Sequence, residues 1–417
     1  MGIFAVTRAG RIRRRAIGAS LSVLAVALAL AGVVAGGAAP ARALSTAAAG
    51  PAGGSAGGSA GVSSAGVSCP AGTTAAAAIS FSWAASGVPW RRVGRGWILG
   101  ELATSQSATG PGTLYVVSPG GQRYRLGRAP ANAMLEDWSG TGADALFLVQ
   151  GPNSTAVSII VLNLHTGRGT RFTAYSGTPF PGLSFSRPTG TAVLFQGGAT
   201  PDGGFLPVQR FSLTGVRDLC YPTQFPRAGA IDGRFLENAS GTELVFDTQN
   251  GLEVVSNAGR PIRALATHGP GGCGLLDWWS SQSVLTDCSG QLLAYPLSGG
   301  RPDQLTSSRD TAAFLGAWHL ASGNYAEAAA CGSTWLERLN PDGTATRLTV
   351  PGTPDGGRVQ PLGADGDQLP VQVSGGCAPS PSSFVEWYNP ADGVARPVLG
   401  GPAGGGYVTD SILFPAG

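Results

Sequence analysis

Residues 136–149, EDWSGTGADALFLV, and 158–167, SIIVLNLHTG, are separated by a break rich in Gly, Pro, Asn and Ser. Each half joins an apolar run of strand length to a glycine-bearing turn. That reads as hairpin geometry, because tight hairpin turns need the positive φ that glycine adopts without steric cost. The second half recurs as TLYVVSPG at Gly120, IIVLNLHTG at Gly167, PVQRFSLTG at Gly215, LEVVSNAG at Gly259, QLLAYPLSG at Gly299, WLERLNPDG at Gly343 and FVEWYNPADG at Gly393, at intervals of 40 to 50 residues. The first half recurs between these, with turns at Gly142, Gly190, Gly241, Ser281, Gly323 and Gly366. Two turn series at one period make two hairpins, hence four strands, per unit, and units of this length match a propeller blade. A β-sandwich has frequent turns but lacks the longer superperiod.

The expected fold is therefore all-β, a seven-bladed β-propeller of four-stranded blades over residues 90–417. In each unit strand A ends at the first turn, B returns, C carries the apolar run before the second turn, and D follows it. The last segment, YVTDSILF (407–414), is one strand too many. It is expected to complete the first blade, closing the ring and removing exposed sheet edges.

Composition agrees. With 66 glycines, 30 prolines and 12% charged residues in 417, long amphipathic helices and coiled coils are excluded. All 27 basic residues are arginine, so Schiff-base chemistry and a phosphate-loop lysine are excluded too.

Residues 1–43 read as a signal peptide: Arg8, Arg11, Arg13, Arg14 and Arg15 precede an apolar stretch, Ile17 to Ala35, and small residues end at Ala41-Arg42-Ala43. The pair Arg14-Arg15 leaves both the general and the twin-arginine export routes open. A retained anchor is the rival reading, but Gly, Ala and Ser dilute the run and a cleavage pattern follows. Cleavage removes six arginines and no acid, leaving 21 basic against 24 acidic residues, so no membrane span and no argument for nucleic acid remain. Residues 44–89 are rich in Ala, Gly and Ser and read as a flexible tether. The expected location is secreted or extracytoplasmic, in the cell envelope, and the expected state a monomer.

Six cysteines follow the signal, and an even count in an exported chain predicts three disulfides. Cys273 and Cys288 flank one hairpin symmetrically, Cys331 and Cys377 occupy nearly equivalent sites in neighbouring units, and Cys69 is left for Cys220. No C-x-x-C pair and only three histidines give no support for a metal site, and no cofactor motif is found. Gly269-x-Gly271-x-x-Gly274 has dinucleotide spacing without a following helix and reads as a loop between blades.

The stretches EDWSGTGADALFLV with SIIVLNLHTG, and QLLAYPLSGG with RPDQLTS, resemble the TolB-like (WD40-like) propeller repeat, and PWRRVGRGWILGEL is similar to the first blade of exported actinobacterial TolB-like proteins. The P-D-G turn of that repeat stands here as GTG, PTG, ASG or ADG. The resemblance implies a binding or scaffold role with no catalytic residues to carry over. On that basis the expected function is a ligand- or protein-binding scaffold without catalysis. The alternative is a secreted propeller enzyme, a glycosidase or lyase, with an acidic site at the channel mouth.

Candidate chemistry is sparse. His165 lies in a hairpin turn, His319 on a strand A, and His268 opens a loop. Glu136-Asp137 and Asp277 precede tryptophans, where an acid supports the turn or faces the channel. Trp138, Trp279 and Trp318 are either an aromatic sugar-binding rim or inter-blade packing, with packing favoured. The loops that enter strand A carry Arg128, Arg227, His268, Arg309 and Arg358, against Asp310 and Asp355. A ring of guanidinium groups there predicts an anionic ligand, for example an anionic cell-wall polymer, the other candidate partner being an unidentified protein.

Overall fold

The computed structural model describes residues 69, 74–105, 110–150, 156–175, 182–199, 204–267, 273–307, 312–330, 332–376, 382–401 and 405–415. Strand β1 (Thr74–Ser80) precedes a sheet formed by β2 (Ile98–Ala103), β3 (Thr113–Val117) and β4 (Arg123–Arg128). Next come β5 (Ala133–Trp138), β6 (Asp144–Gln150), β7 (Ala156–Asn163) and β8 (Arg168–Tyr175), then β9 (Gly182–Phe185), β10 (Ala192–Gln196), β11 (Val208–Ser212) and β12 (Arg217–Cys220). The fourth group is β13 (Gln224–Phe225), β14 (Gly229–Glu237), β15 (Glu243–Thr248), β16 (Gly251–Ser256) and β17 (Pro261–Leu265). It is followed by β18 (Gly274–Ser280), β19 (Ser283–Asp287), β20 (Leu292–Pro296) and β21 (Asp303–Gln304). Last are β22 (Ala313–Leu320), β23 (Gly323–Ala330), β24 (Ser333–Leu339) and β25 (Ala345–Arg347), then β26 (Arg358–Pro361), β27 (Leu369–Ser374), β28 (Ser383–Asn389) and β29 (Val394–Gly400), and finally β30 (Tyr407–Leu413).

Each group pairs antiparallel in chain order. The last two groups share one sheet only through a single parallel bridge, Thr334 to Arg358. Strand β30 pairs with β2, Leu99 opposite Ile412, so it adds to the sheet of β2, β3 and β4. The A-to-D order read from the turns is the order observed, and Gly142 and Gly167 hold φ of 73° and 69° at their turns. In the first sheet the positive φ falls on Gly121 rather than Gly120.

The sheets stack face to face, which is why strands such as β16, GLEVVS, are buried at five of six positions instead of alternating. The first strands of successive groups lie side by side: β30 against β5, β5 against β9, β14 against β18, and β18 against β22. Trp138 is fully buried at such a seam, edge-on to Phe414 at 5.1 Å with its indole N–H donated to Gly142 O. This is the packing role; Trp279 and Trp318, by contrast, are half-exposed.

The tether reading does not hold for residues 74–89. Strand β1, TAAAAIS, adds to the outer edge of β8, with Ile79 opposite Gly169. Trp83 then bridges Gly127 of β4 and donates its indole N–H to Leu164 O at 2.6 Å. Upstream, Cys69 is bonded to Cys220 at the end of β12. Cys69, β1 and Trp83 therefore meet the outer strands of three consecutive sheets. Cys273 and Cys288 are bonded across the β18–β19 hairpin, while Cys331 and Cys377 lie outside the described residues. No helix among the described residues is long and apolar enough to cross a membrane.

Candidate functional site

The chemistry of strand ends concentrates on β14. Its pairing with β15 jumps from Ile231–Thr248 to Phe235–Phe246, so Asp232, Gly233 and Arg234 stand opposite Asp247 alone. Such a bulge re-aims side chains that a regular ladder would hold apart. The Asp247 carboxylate lies over the Cα of Gly233, in space that a Cβ would occupy, which is the local reason for glycine there. Asp247 also accepts a hydrogen bond from Leu275 N of β18, in the next sheet. It is 7% exposed. Burial, reinforced by the charge of Asp232 and opposed by the Leu275 N–H and the charge of Arg234, pushes its carboxyl up to about 7. Asp232 is exposed, and its carboxyl is also raised by partial desolvation.

The neighbouring strand ends share this arrangement. Asp287, closing β19, accepts from Phe314 N of the following sheet and is raised by burial. Gln196, closing β10, donates to Gly233 O, and Gln372 of β27 donates to Val408 O. In these four sheets polar side chains of strand B thus stitch one sheet to the first strand of its neighbour, satisfying backbone groups at the seam. On the adjacent strand β16, Glu253, opposite Phe246, is 4% exposed and raised by burial, with the charge of Arg227 opposing the shift.

Of the residues expected to bind ligand, Arg227 is exposed and close enough to Glu253 for its charge to act on that carboxyl. Arg128 ends β4 and is exposed. Arg358 begins β26, and its guanidinium donates to Gly332 O at 2.7 Å. His268 and Arg309, with Asp310, lie outside the described residues. The expected acids serve structure: Asp137 accepts from Trp138 N and Phe185 N and binds Arg187 at 2.9 Å, and Asp277 accepts from Trp278 N. Glu237 accepts from Arg187 N, and burial pushes it up to about 7. His165 is exposed and stacks on Trp90, and the imidazole Nδ1 of His319 bonds Asn324 at 2.6 Å.

Asp232 and Asp247 were not singled out by spacing, because their proximity arises from a bulge. A readable signal did exist: ELVFDT and SVLTD each close an apolar strand with an acid at the same place in successive units.

No known family profile and no curated protein matches this sequence. Among solved structures, the β-propeller domain of the Trilobed protease from Pyrococcus furiosus superposes with a TM-score of 0.51 at 12% identity, over 74% of this chain and 95% of that one. An oligogalacturonate lyase in complex with manganese gives 0.45 at 13% identity, over 74% and 86% of the two chains. TolB from Acinetobacter baumannii gives 0.42 at 17%, over 77% and 67%. The first of these corrects the expectation of a scaffold without catalysis: the propeller this chain resembles is a domain of a protease, so the fold occurs in a protein that does chemistry. The chain has a β-propeller fold.

Proposed function

We propose that this chain is an exported, seven-bladed propeller enzyme, its ring closed by β30, that cleaves an anionic saccharide polymer by acid–base chemistry as a glycosidase or lyase. The observation that carries the reading is the pair Asp247 and Asp232, one buried and raised to about 7, the other exposed beside it. Two carboxyls in unlike environments divide the roles of acid and base between them. Asp247, protonated up to neutrality, donates its proton to the bridging oxygen of the leaving sugar. The Asp232 carboxylate attacks the anomeric carbon, activates a water, or takes the proton next to a uronate carboxylate. Arg227, aided by the charge of Arg234, holds the anionic group of the substrate; Arg128 and Arg358, on the same end of their sheets, extend the basic track. Export rests on the arginine-led apolar segment of residues 1–43 and on the disulfides, which form in oxidising compartments.

The test is release of reducing ends, and of unsaturated products, from acidic polysaccharides by the mature protein. Turnover is expected to fall as pH rises through about 7, where Asp247 loses its proton. Asp247→Asn keeps the bond from Leu275 N and should lower kcat by about 10²- to 10⁴-fold, and Arg227→Ala should raise KM. An Asp247→Asn protein that folds and turns over at the wild-type rate would remove this reading.

A further inference from the structure

We propose that a surface cleft between the N-terminal segment and the β7–β8 turn is a binding site for an acidic pyranose ring, separate from the carboxylate pair. The cleft measures about 400 Å³ and is lined chiefly by Trp83, Ser86, Trp90, His165 and Thr166. That volume lies within the range of small-molecule sites. No binding role follows from the stitching of the sheets, and the proposal stands independently of the enzymatic reading.

The lining is built rather than loosely exposed. The Trp83 ring is wedged between Gly127 and Gly167, where any Cβ would strike it, and its N–H is fixed on Leu164 O. The turn that presents His165 and Thr166 is held by Asn163, whose Oδ1 accepts from His165 N, Thr166 N and the Thr166 hydroxyl at 3.2, 3.1 and 2.9 Å. Asn163 is fixed in turn by donating to Asp144. Trp90 packs against His165 with ring centroids 4.1 Å apart. Groups held this firmly lose little freedom when a ligand arrives.

The polar inventory identifies the ligand. The Trp90 indole N–H, the Ser86 hydroxyl and the His165 imidazole make no hydrogen bond among the described residues. They are donors and acceptors set beside flat aromatic surfaces. A pyranose offers the complementary pattern: a C–H face for the rings and an equatorial fringe of hydroxyls for the polar atoms. Arg91, Arg92 and Arg168, adjoining the lining residues in the chain, are exposed and have no ion-pair partner among the described residues. Exposed guanidinium groups on residues this near the lining in the chain favour a sugar that bears a carboxylate.

The experiment titrates the mature protein with an oligomannuronate hexamer, which carries one carboxylate per ring, and with neutral maltohexaose. Calorimetry gives affinity, and the His165 imidazole resonance, one of only three histidine signals, reports occupancy of this cleft. The acidic hexamer should bind saturably, shift that resonance, and weaken with added salt. His165→Ala should weaken binding about fivefold, Trp90→Ala about tenfold, and Arg91→Gln with Arg92→Gln about tenfold with loss of the salt dependence. Should Trp90→Ala fail to fold, the exposed His165 and arginine variants decide. Asp232→Asn should leave the His165 shift unchanged, so loss of turnover with cleft binding retained, or the reverse, separates this proposal from the enzymatic one. Absence of hexamer binding, binding without a His165 shift, or unchanged affinity in the surface variants would overturn the proposal.

Discussion

Glu386, on β28, is 2% exposed, and its Oε1 has no hydrogen-bond partner. Burial pushes its carboxyl up to about 7, as it does for Glu237 and Asp247. A raised carboxyl binds its proton more tightly in the folded chain than in the unfolded one. Its contribution to stability is therefore complete below about pH 4 and is lost as pH rises through about 7. The fold should thus weaken between mildly acidic and mildly basic pH. Glu386→Gln, which mimics the protonated acid, should stabilise the protein by roughly 1 kcal/mol or more at pH 8 and leave it unchanged at pH 4. Urea midpoints at the two pH values measure this; equal effects at both would mean that Glu386 ionises in the fold without cost.

Between elements, two arginine–aspartate pairs with similar distances should contribute very differently. Arg187 joins Asp137 at 2.9 Å with both side chains largely buried, clamping β9 to β5, whereas Arg210 meets Asp218 at 3.1 Å where the carboxylate is half-exposed. Arg187→Ala leaves a buried carboxylate without its counter-ion and should destabilise by about 3 kcal/mol or more. Asp218→Ala should change stability by no more than about 1 kcal/mol. Denaturant titration of the two variants compares them directly. The clamp illustrates what can be read from one sequence: the turn glycines and the A-to-D order are local, carried by backbone conformation, and so were legible. Arg187 and Asp137 are partners only because two sheets stack, and Asp247 meets Asp232 only because β14 bulges. Strand β1 escaped for a related reason: TAAAAIS has no alternation of its own, and its pattern is imposed by the open edge of β8.

At the scale of the molecule, the first sheet joins β2, β3 and β4 to β30, while Cys69, β1 and Trp83 lie against the outer strands of three sheets. The inner seam is held by buried apolar residues such as Val408 and Ile412, but the outer segment packs through the partly buried Ile79, Phe81 and Trp83, while Ala76, Ala77 and Ala78 of β1 are exposed. Its attachment therefore depends more on the Cys69–Cys220 bond than the β18–β19 hairpin depends on Cys273–Cys288. Loop entropy points the same way. The bonds span 151 and 15 residues. Constraining the unfolded chain over loops of those lengths stabilises by about 5 and about 3 kcal/mol. Cys69→Ser with Cys220→Ser should accordingly lower the denaturation midpoint more than Cys273→Ser with Cys288→Ser. It should also raise amide exchange in β1 and along the edge of β8, while β5–β7 remain protected, because only the outermost ladder is released. A larger loss from the hairpin pair, or unchanged exchange at β1, would mean that the strand ladder and the Trp83 wedge hold the segment without the bond.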